Sequence, residues 1–168
     1  MSNFYAGVFV FDPSDDTVLC VSDHNYPEEM KMAGGMSVNT ETPEETVRRE
    51  ASEELRTQVL ASTLVLVETV PSRDSEHTRY FFLADKILGA LEKGATWKVE
   101  EKDGVGKVTE KLIARWVPIR EFADRLYGKQ VPAFGAVLGK LASRSPGFYH
   151  KYGDLLESFP EPENLGLE

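Results

Sequence analysis

The chain has 168 residues, 41% hydrophobic and 28% charged, with a formal net charge of −9. This length suits one domain that buries roughly 70% of the surface its unfolded form exposes, and the composition is that of an ordinary globular protein. The acidic balance, with no run of Lys and Arg interleaved with aromatics, argues against a nucleic-acid partner.

Along the chain, Phe4–Phe11 and Thr17–Ser22 are β-rich runs joined by Asp12-Pro13-Ser14-Asp15-Asp16, which predicts a hairpin. The first run is too short to span a bilayer and lacks a signal peptide's basic start and cleavage site. The single cysteine, Cys20, lies among Val18, Leu19 and Val21, which fits a buried, inert thiol and a cytoplasmic location. A polar segment, Asp23–Glu29, leads to Met30–Ala33 and then to a break at Gly34-Gly35. A helix is expected from about Pro43 to Leu55: Thr42 is the N-cap, Pro43 the first helical residue, and Glu45 completes a capping box. Val47, Ala51 and Leu55 give it a narrow apolar face.

Val59–Val70 reads as one long strand, bent near Ala61–Ser62, followed by a polar loop at Pro71–Glu76 and a strand at Thr78–Asp85. Lys86–Gly94 is expected to be irregular or briefly helical. Ala95–Val99 and Leu112–Val117 are strands flanking the charged segment Glu100–Lys111. Within that segment Gly104-Val105-Gly106-Lys107 lacks phosphate-loop spacing and predicts a hairpin turn. After Pro118 the periodicity is helical, with Ile119, Phe122, Ala123 and Leu126 on one face and Phe134, Val137, Leu138 and Leu141 on another. The expected organisation is a single domain over residues 1–158 and an acidic, proline-containing tail over 159–168. The fold class is α/β, a sheet with a central helix and further helices at the end.

The predicted helix carries Glu50, Glu53 and Glu54 at i, i+3 and i+4, which stacks three carboxylates along one face. Like charges at this spacing oppose the helix by about 0.2–0.5 kcal/mol per pair. A sequence that tolerates this is a candidate for a divalent cation, whose charge reverses the local electrostatics. First-turn Glu44 and Glu45 need no such role, because the helix dipole favours them.

The pattern Gly35-x5-Glu41-x7-Arg49-Glu50-Ala51-x-Glu53-Glu54 resembles the Nudix box. Two end positions depart from it: Arg56 stands where glycine is expected, and Thr57 where an aliphatic residue is usual. The resemblance implies an α/β/α sandwich with a mixed β-sheet and a catalytic helix at about 43–55. It implies cleavage of the pyrophosphate linkage of a nucleoside diphosphate derivative, such as ADP-ribose or a nucleotide sugar, with Mg²⁺ or Mn²⁺. By family analogy Glu50 and Glu54 are metal ligands, Glu53 is a ligand or base, and a main-chain carbonyl at Gly35 adds a ligand. Arg49 orients the carboxylates, and Glu41 steadies the loop–helix junction. Without its usual glycine, the helix either accepts a strained left-handed exit at Arg56 or continues, so the carboxylates are expected to converge and the helix exit to be altered.

Outside the box, Pro71 falls near the position where ADP-ribose hydrolases of the family carry a proline. Arg73, Arg79 and His77 are candidate phosphate or ribose contacts. Many members carry a further acid before the late strand; Glu110 is the candidate here, with Glu100 and Glu101 as rivals. Phe4, Tyr5, Trp97 and Trp116 are candidates for stacking a base or, more ordinarily, for filling the core. The expected partner is a small nucleotide, with a homodimer expected by analogy. The alternatives are a Nudix-fold module that binds nucleotide without cleaving it, and a hydrolase of nucleoside triphosphates or of RNA 5′ pyrophosphate.

Overall fold

The computed structural model describes residues 3–60, 63–71, 76–89 and 91–162. The N-terminal hairpin is present as β1 (Phe4–Asp12) and β2 (Thr17–Asp23), paired antiparallel. Then come β3 (Tyr26–Lys31), β4 (Ala33–Met36), α1 (Pro43–Leu55), β5 (Gln58–Val59) and β6 (Thr63–Pro71). They are followed by β7 (Glu76–Ala84), β8 (Ile87–Leu88), β9 (Thr96–Lys102) and β10 (Val108–Pro118). The chain ends in α2 (Ile119–Asp124), a 3₁₀ turn at Gly128–Gln130, α3 (Val131–Arg144) and α4 (Pro146–Ser158).

The main sheet has the order β6-β7-β1-β2-β10-β9, with β4 pairing with β1 and β3 with β2. The β1–β7 pair is parallel and the others are antiparallel, so the sheet is mixed, as expected. β1 is apolar at nearly every position because both of its faces are covered. Ala6, Val8 and Val10 share a core with Val47, Ala51 and Leu55 of α1. Phe9 and Phe11 share the opposite core with Phe122, Phe134, Val137, Leu138 and Phe148 of the C-terminal helices. The rings of Phe122 and Phe134 lie 5.6 and 5.8 Å from that of Phe9. The result is the α/β/α sandwich that the sequence implied. Cys20 lies wholly in the core, where burial pushes its thiol up to about 12. No described helix is long and apolar enough to cross a membrane.

Several local expectations are corrected. The polar stretch after β2 is a strand, β3, whose Met30 alone is buried; its polar residues face solvent, which hides the pattern. The Gly34-Gly35 break is also a strand, β4, with Gly34 opposite Gly7 and Gly35 opposite Ala6. A Cβ on Gly34 would lie 2.6 Å from the Ala6 carbonyl oxygen and from the Tyr5 hydroxyl, so glycine is needed for close approach. The long strand from Val59 is two, β5 and β6, and the bend expected at Ala61–Ser62 lies outside the described residues, as does the centre of the polar loop, 72–75. Lys86–Gly94 contributes β8, two residues long, paired with β5. The Gly104–Lys107 segment is a hairpin turn, as expected, with Asp103 Oδ1 accepting from the Val105 and Lys107 amides. After α4, Phe159 packs its ring 4.9 Å from Phe134, and the Pro160 carbonyl lies against Gly135.

Candidate active site

The site begins with the entry to α1. Thr42 accepts from the Glu45 amide at 3.2 Å and Glu45 Oε1 accepts from the Thr42 amide at 3.0 Å, which completes the expected capping box. Just before it, Glu41 accepts from the Val38 amide at 2.9 Å and from Arg49 Nε and Nη2 at 2.8 and 3.1 Å. This two-pronged pairing holds the Glu41 carboxyl at about 2, below its ordinary 4.5. Arg49 also donates to Glu50 Oε1 at 2.9 Å, to Glu53 Oε2 at 3.4 Å and to the Met36 carbonyl at 3.0 Å. One guanidinium therefore ties together the loop, β4 and two carboxylates.

The three glutamates of the helix face different surroundings. Glu50 and Glu54 are 6% and 4% exposed, whereas the Glu53 side chain is 50% exposed. Glu54 Oε1 accepts from the Gly34 amide at 2.8 Å. Glu50 lies so close to Gly35 that a Cβ there would collide with its carboxylate. Its Oε2 is buried and has no hydrogen-bond partner among the described residues. Burial, followed by the Glu50 charge, pushes the Glu54 carboxyl well above its usual range; Glu50 itself is raised, chiefly by burial.

A fourth acid joins them from β9. Glu50, Glu53 and Glu101 each bring a carboxylate oxygen within 4.8 Å of the other two. Burial, then the charges of Glu50 and Glu110, raises Glu101 to about 7. Glu110, the acid favoured from sequence, sits opposite Glu101 in the β9–β10 register and 3.7 Å from Lys31 Nζ. In sequence Glu101 alternates with Trp97 and Val99, a signal that an expected strand end at Val99 cuts off; β9 runs on to Lys102. Hard, clustered oxygens with one buried lone carboxylate atom are the donor set a divalent cation takes.

On one side of this acidic ridge lies a cavity of about 600 Å³. Gly35, Glu50, Glu54, Arg79, Glu101 and Glu110 all reach it, so the structure brings these sequence candidates together. Arg79 donates to the Lys129 carbonyl at 3.2 Å. Arg73 lies outside the described residues. Tyr5 also lines the cavity, its hydroxyl held above its ordinary pKa by burial and by Glu54 and Glu50. Among the other aromatic candidates, Trp116 donates to the Leu91 carbonyl and Phe4 packs on Tyr80. Sequence reasoning missed Tyr127, Lys129 and Gln130, which line the cavity from the turn before α3. Gln130 is 4% exposed and accepts from the Met32 amide at 2.7 Å, a tertiary contact that no local pattern announces.

On the other side lies a second hollow, of about 480 Å³, bordered by Arg49, Glu53, Arg56 and Glu101. Here α1 ends. Contrary to the altered exit expected, Arg56 takes the left-handed conformation, φ 49 and ψ 41, and the helix stops where a glycine would stop it. This backbone costs an L-residue about 1–2 kcal/mol. The Arg56 guanidinium lies 3.7 Å from the centre of the Trp97 ring, a contact that contributes about 0.5–2 kcal/mol and nearly offsets the strain.

Known structures share this architecture. The solution structure of the E. coli ORF135 protein superposes with a TM-score of 0.63 at 15% identity, covering 85% of this chain and 93% of that one. A MutT NUDIX hydrolase from Burkholderia pseudomallei gives 0.52 at 20% identity, covering 71% and 85%. A UDP-X diphosphatase gives 0.51 at 15% identity, covering 71% and 52%. At these identities the likeness is one of fold. No curated protein sequence matches the chain significantly. The NUDIX domain model matches residues 1–134, the span that holds the box, the acidic ridge and the residues that line the cavity. The chain therefore belongs to the Nudix family and is a pyrophosphohydrolase of that family.

Proposed function

We propose that the chain hydrolyses the pyrophosphate linkage of a nucleoside diphosphate derivative, such as ADP-ribose or a nucleotide sugar, with Mg²⁺ or Mn²⁺. The observation that carries the metal reading is the Oε2 of Glu50, buried and without a hydrogen-bond partner among the described residues, beside Glu53 and Glu101. Glu50, Glu53 and Glu54 would hold the ion, with Glu101 and the Gly35 carbonyl as further ligands. A bound divalent cation would offset the charge of the phosphate oxygens and make a water molecule more acidic.

The chain's own groups divide the remaining work. Arg49 holds Glu50 and Glu53 in place through its hydrogen bonds. Glu53, the most exposed of the three helix acids, takes the proton of the attacking water. That water adds to one phosphorus as the bridging P–O bond breaks, and the leaving phosphate departs with the bridging oxygen. Arg79 and Lys31 at the cavity wall offer cations to phosphate, and Tyr5, Phe81 and Tyr127 offer ring surface for the nucleoside. Arg73 and Glu110 are further candidates for substrate contact.

A panel of ADP-ribose, nucleotide sugars, dinucleoside polyphosphates, nucleoside triphosphates and triphosphorylated RNA, each with Mg²⁺ or Mn²⁺, tests this. Turnover of a diphosphate derivative that chelator and Glu53→Gln both suppress is expected. No turnover above the Glu53→Gln control with any substrate would overturn the reading. Tight nucleotide binding indifferent to chelator and to Glu54→Gln would favour a binding module instead.

A further inference from the structure

α1 and β9 run past each other and meet at two places. β9 is the edge strand of the main sheet, held among the described residues by backbone pairing to β10 alone. Trp97, Val99 and Glu101 alternate along it and therefore share one face. Val99 is buried, Trp97 meets Arg56, and Glu101 meets Glu50 and Glu53. The two meeting places have opposite electrostatics. At Glu101 the contact with α1 is between like charges, those of Glu50 and Glu53. That repulsion opposes the packing of the edge strand against the helix at its catalytic end. Besides the buried Val99 between them, the attraction between the same two elements is the stack of the Arg56 guanidinium on Trp97.

Arg56 reaches the ring because it occupies the left-handed exit of α1. A glycine at this position, as the family pattern has it, would close the helix equally well and could not touch β9. The Arg56 backbone N–H donates to the Ala51 carbonyl, but its guanidinium makes no hydrogen bond or ion pair among the described residues, so the stack is the attachment of its side chain there. We propose that Arg56 is a positioning residue: its stack on Trp97 clamps the edge strand to the end of α1 and so keeps Glu101 beside Glu50 and Glu53. The inference rests on the reading of that cluster as a divalent-cation site.

The test is a Mn²⁺ titration of the full chain followed by the EPR signal of free Mn²⁺. Arg56→Gly carries the residue best suited to this backbone, so its fold is expected to survive, and circular dichroism checks this. It should weaken Mn²⁺ binding by about tenfold, as loss of a group that orients a ligand does. Arg56→Lys, which keeps a cation over the ring, should remain within about twofold of the unmodified protein. In a Glu101→Gln background Arg56→Gly should cost nothing further, because the group it positions is gone. Unchanged affinity in Arg56→Gly, or the same tenfold loss with and without Glu101, would overturn the clamp while leaving the metal site standing. No saturable Mn²⁺ binding by the unmodified protein would overturn the metal reading, and the clamp with it.

Discussion

The two sides of the carboxylate ridge on α1 are built from the same residue type and do opposite things. On the cavity side Glu50 and Glu54 are almost fully buried, sit against the glycines of β4, and are raised in pKa by the loss of solvent. On the open side Glu53 is half exposed and shares Arg49 with Glu50 and Glu41. Spacing along the helix makes the three equivalent, and packing separates them. Buried carboxylates that cannot easily stay charged alone suit fixed ligands; a solvated one suits a group that must gain and lose a proton.

The sharpest way to break this contrast is Glu53→Gln. It should lower kcat by about 10²–10⁴-fold, the usual contribution of a positioned proton acceptor, with a melting temperature close to that of the unmodified protein. A large loss of stability would place Glu53 with its buried neighbours instead. Next in size is Gly35→Ala, whose methyl group would displace the Glu50 carboxylate. Overpacking of this kind costs about 1–3 kcal/mol, readable in urea unfolding, and should weaken Mn²⁺ binding as well. Smaller again is Glu54→Gln, which keeps an acceptor for the Gly34 amide but removes a charge from the interior. The metal-free variant should be about 1 kcal/mol more stable than the unmodified protein and should gain little from Mn²⁺.

The pH dependence of the metal-free protein sharpens the same contrast. Glu50, Glu54 and Glu101 all have folded-state pKa values raised above 4.5, Glu101 to about 7. A raised carboxyl makes the folded state bind more protons than the unfolded one. Its stabilising contribution is therefore full below about 4.5 and is lost as pH rises through the folded value. Metal-free melting temperature should fall between pH 5 and 7.5, by the equivalent of about 1 kcal/mol once solvent screening of the half-open site is allowed for. Glu41, held near 2 by Arg49, acts oppositely and only at lower pH, where its contribution disappears on acidification. A melting temperature that rises steadily from pH 5 to 7.5 without metal would contradict the strained, cation-seeking side of the ridge.

The elements most legible in sequence were those fixed by short-range chemistry. Thr42, Pro43 and Glu45 specify the start of α1 within four residues, and the hairpin and C-terminal helices follow from local periodicity. The box residues Gly35, Glu41 and Arg49 likewise came together as their spacing implied. What stayed hidden depends on distant partners. β3 shows only Met30 to the core, so its pattern resembles a loop. Glu101 and Gln130 gain meaning only when β9 and the turn before α3 fold against the ridge. Arg56 contradicts the local rule for a helix exit, and the reason, Trp97, lies on a strand forty-one positions along the chain.

The most direct test of the central claim is a Mn²⁺ titration of the unmodified protein at pH 7.5, followed by EPR and paired with differential scanning calorimetry. Saturable binding that raises the melting temperature and is abolished by Glu54→Gln is expected. Binding that is absent, or equally strong in Glu54→Gln, would contradict it.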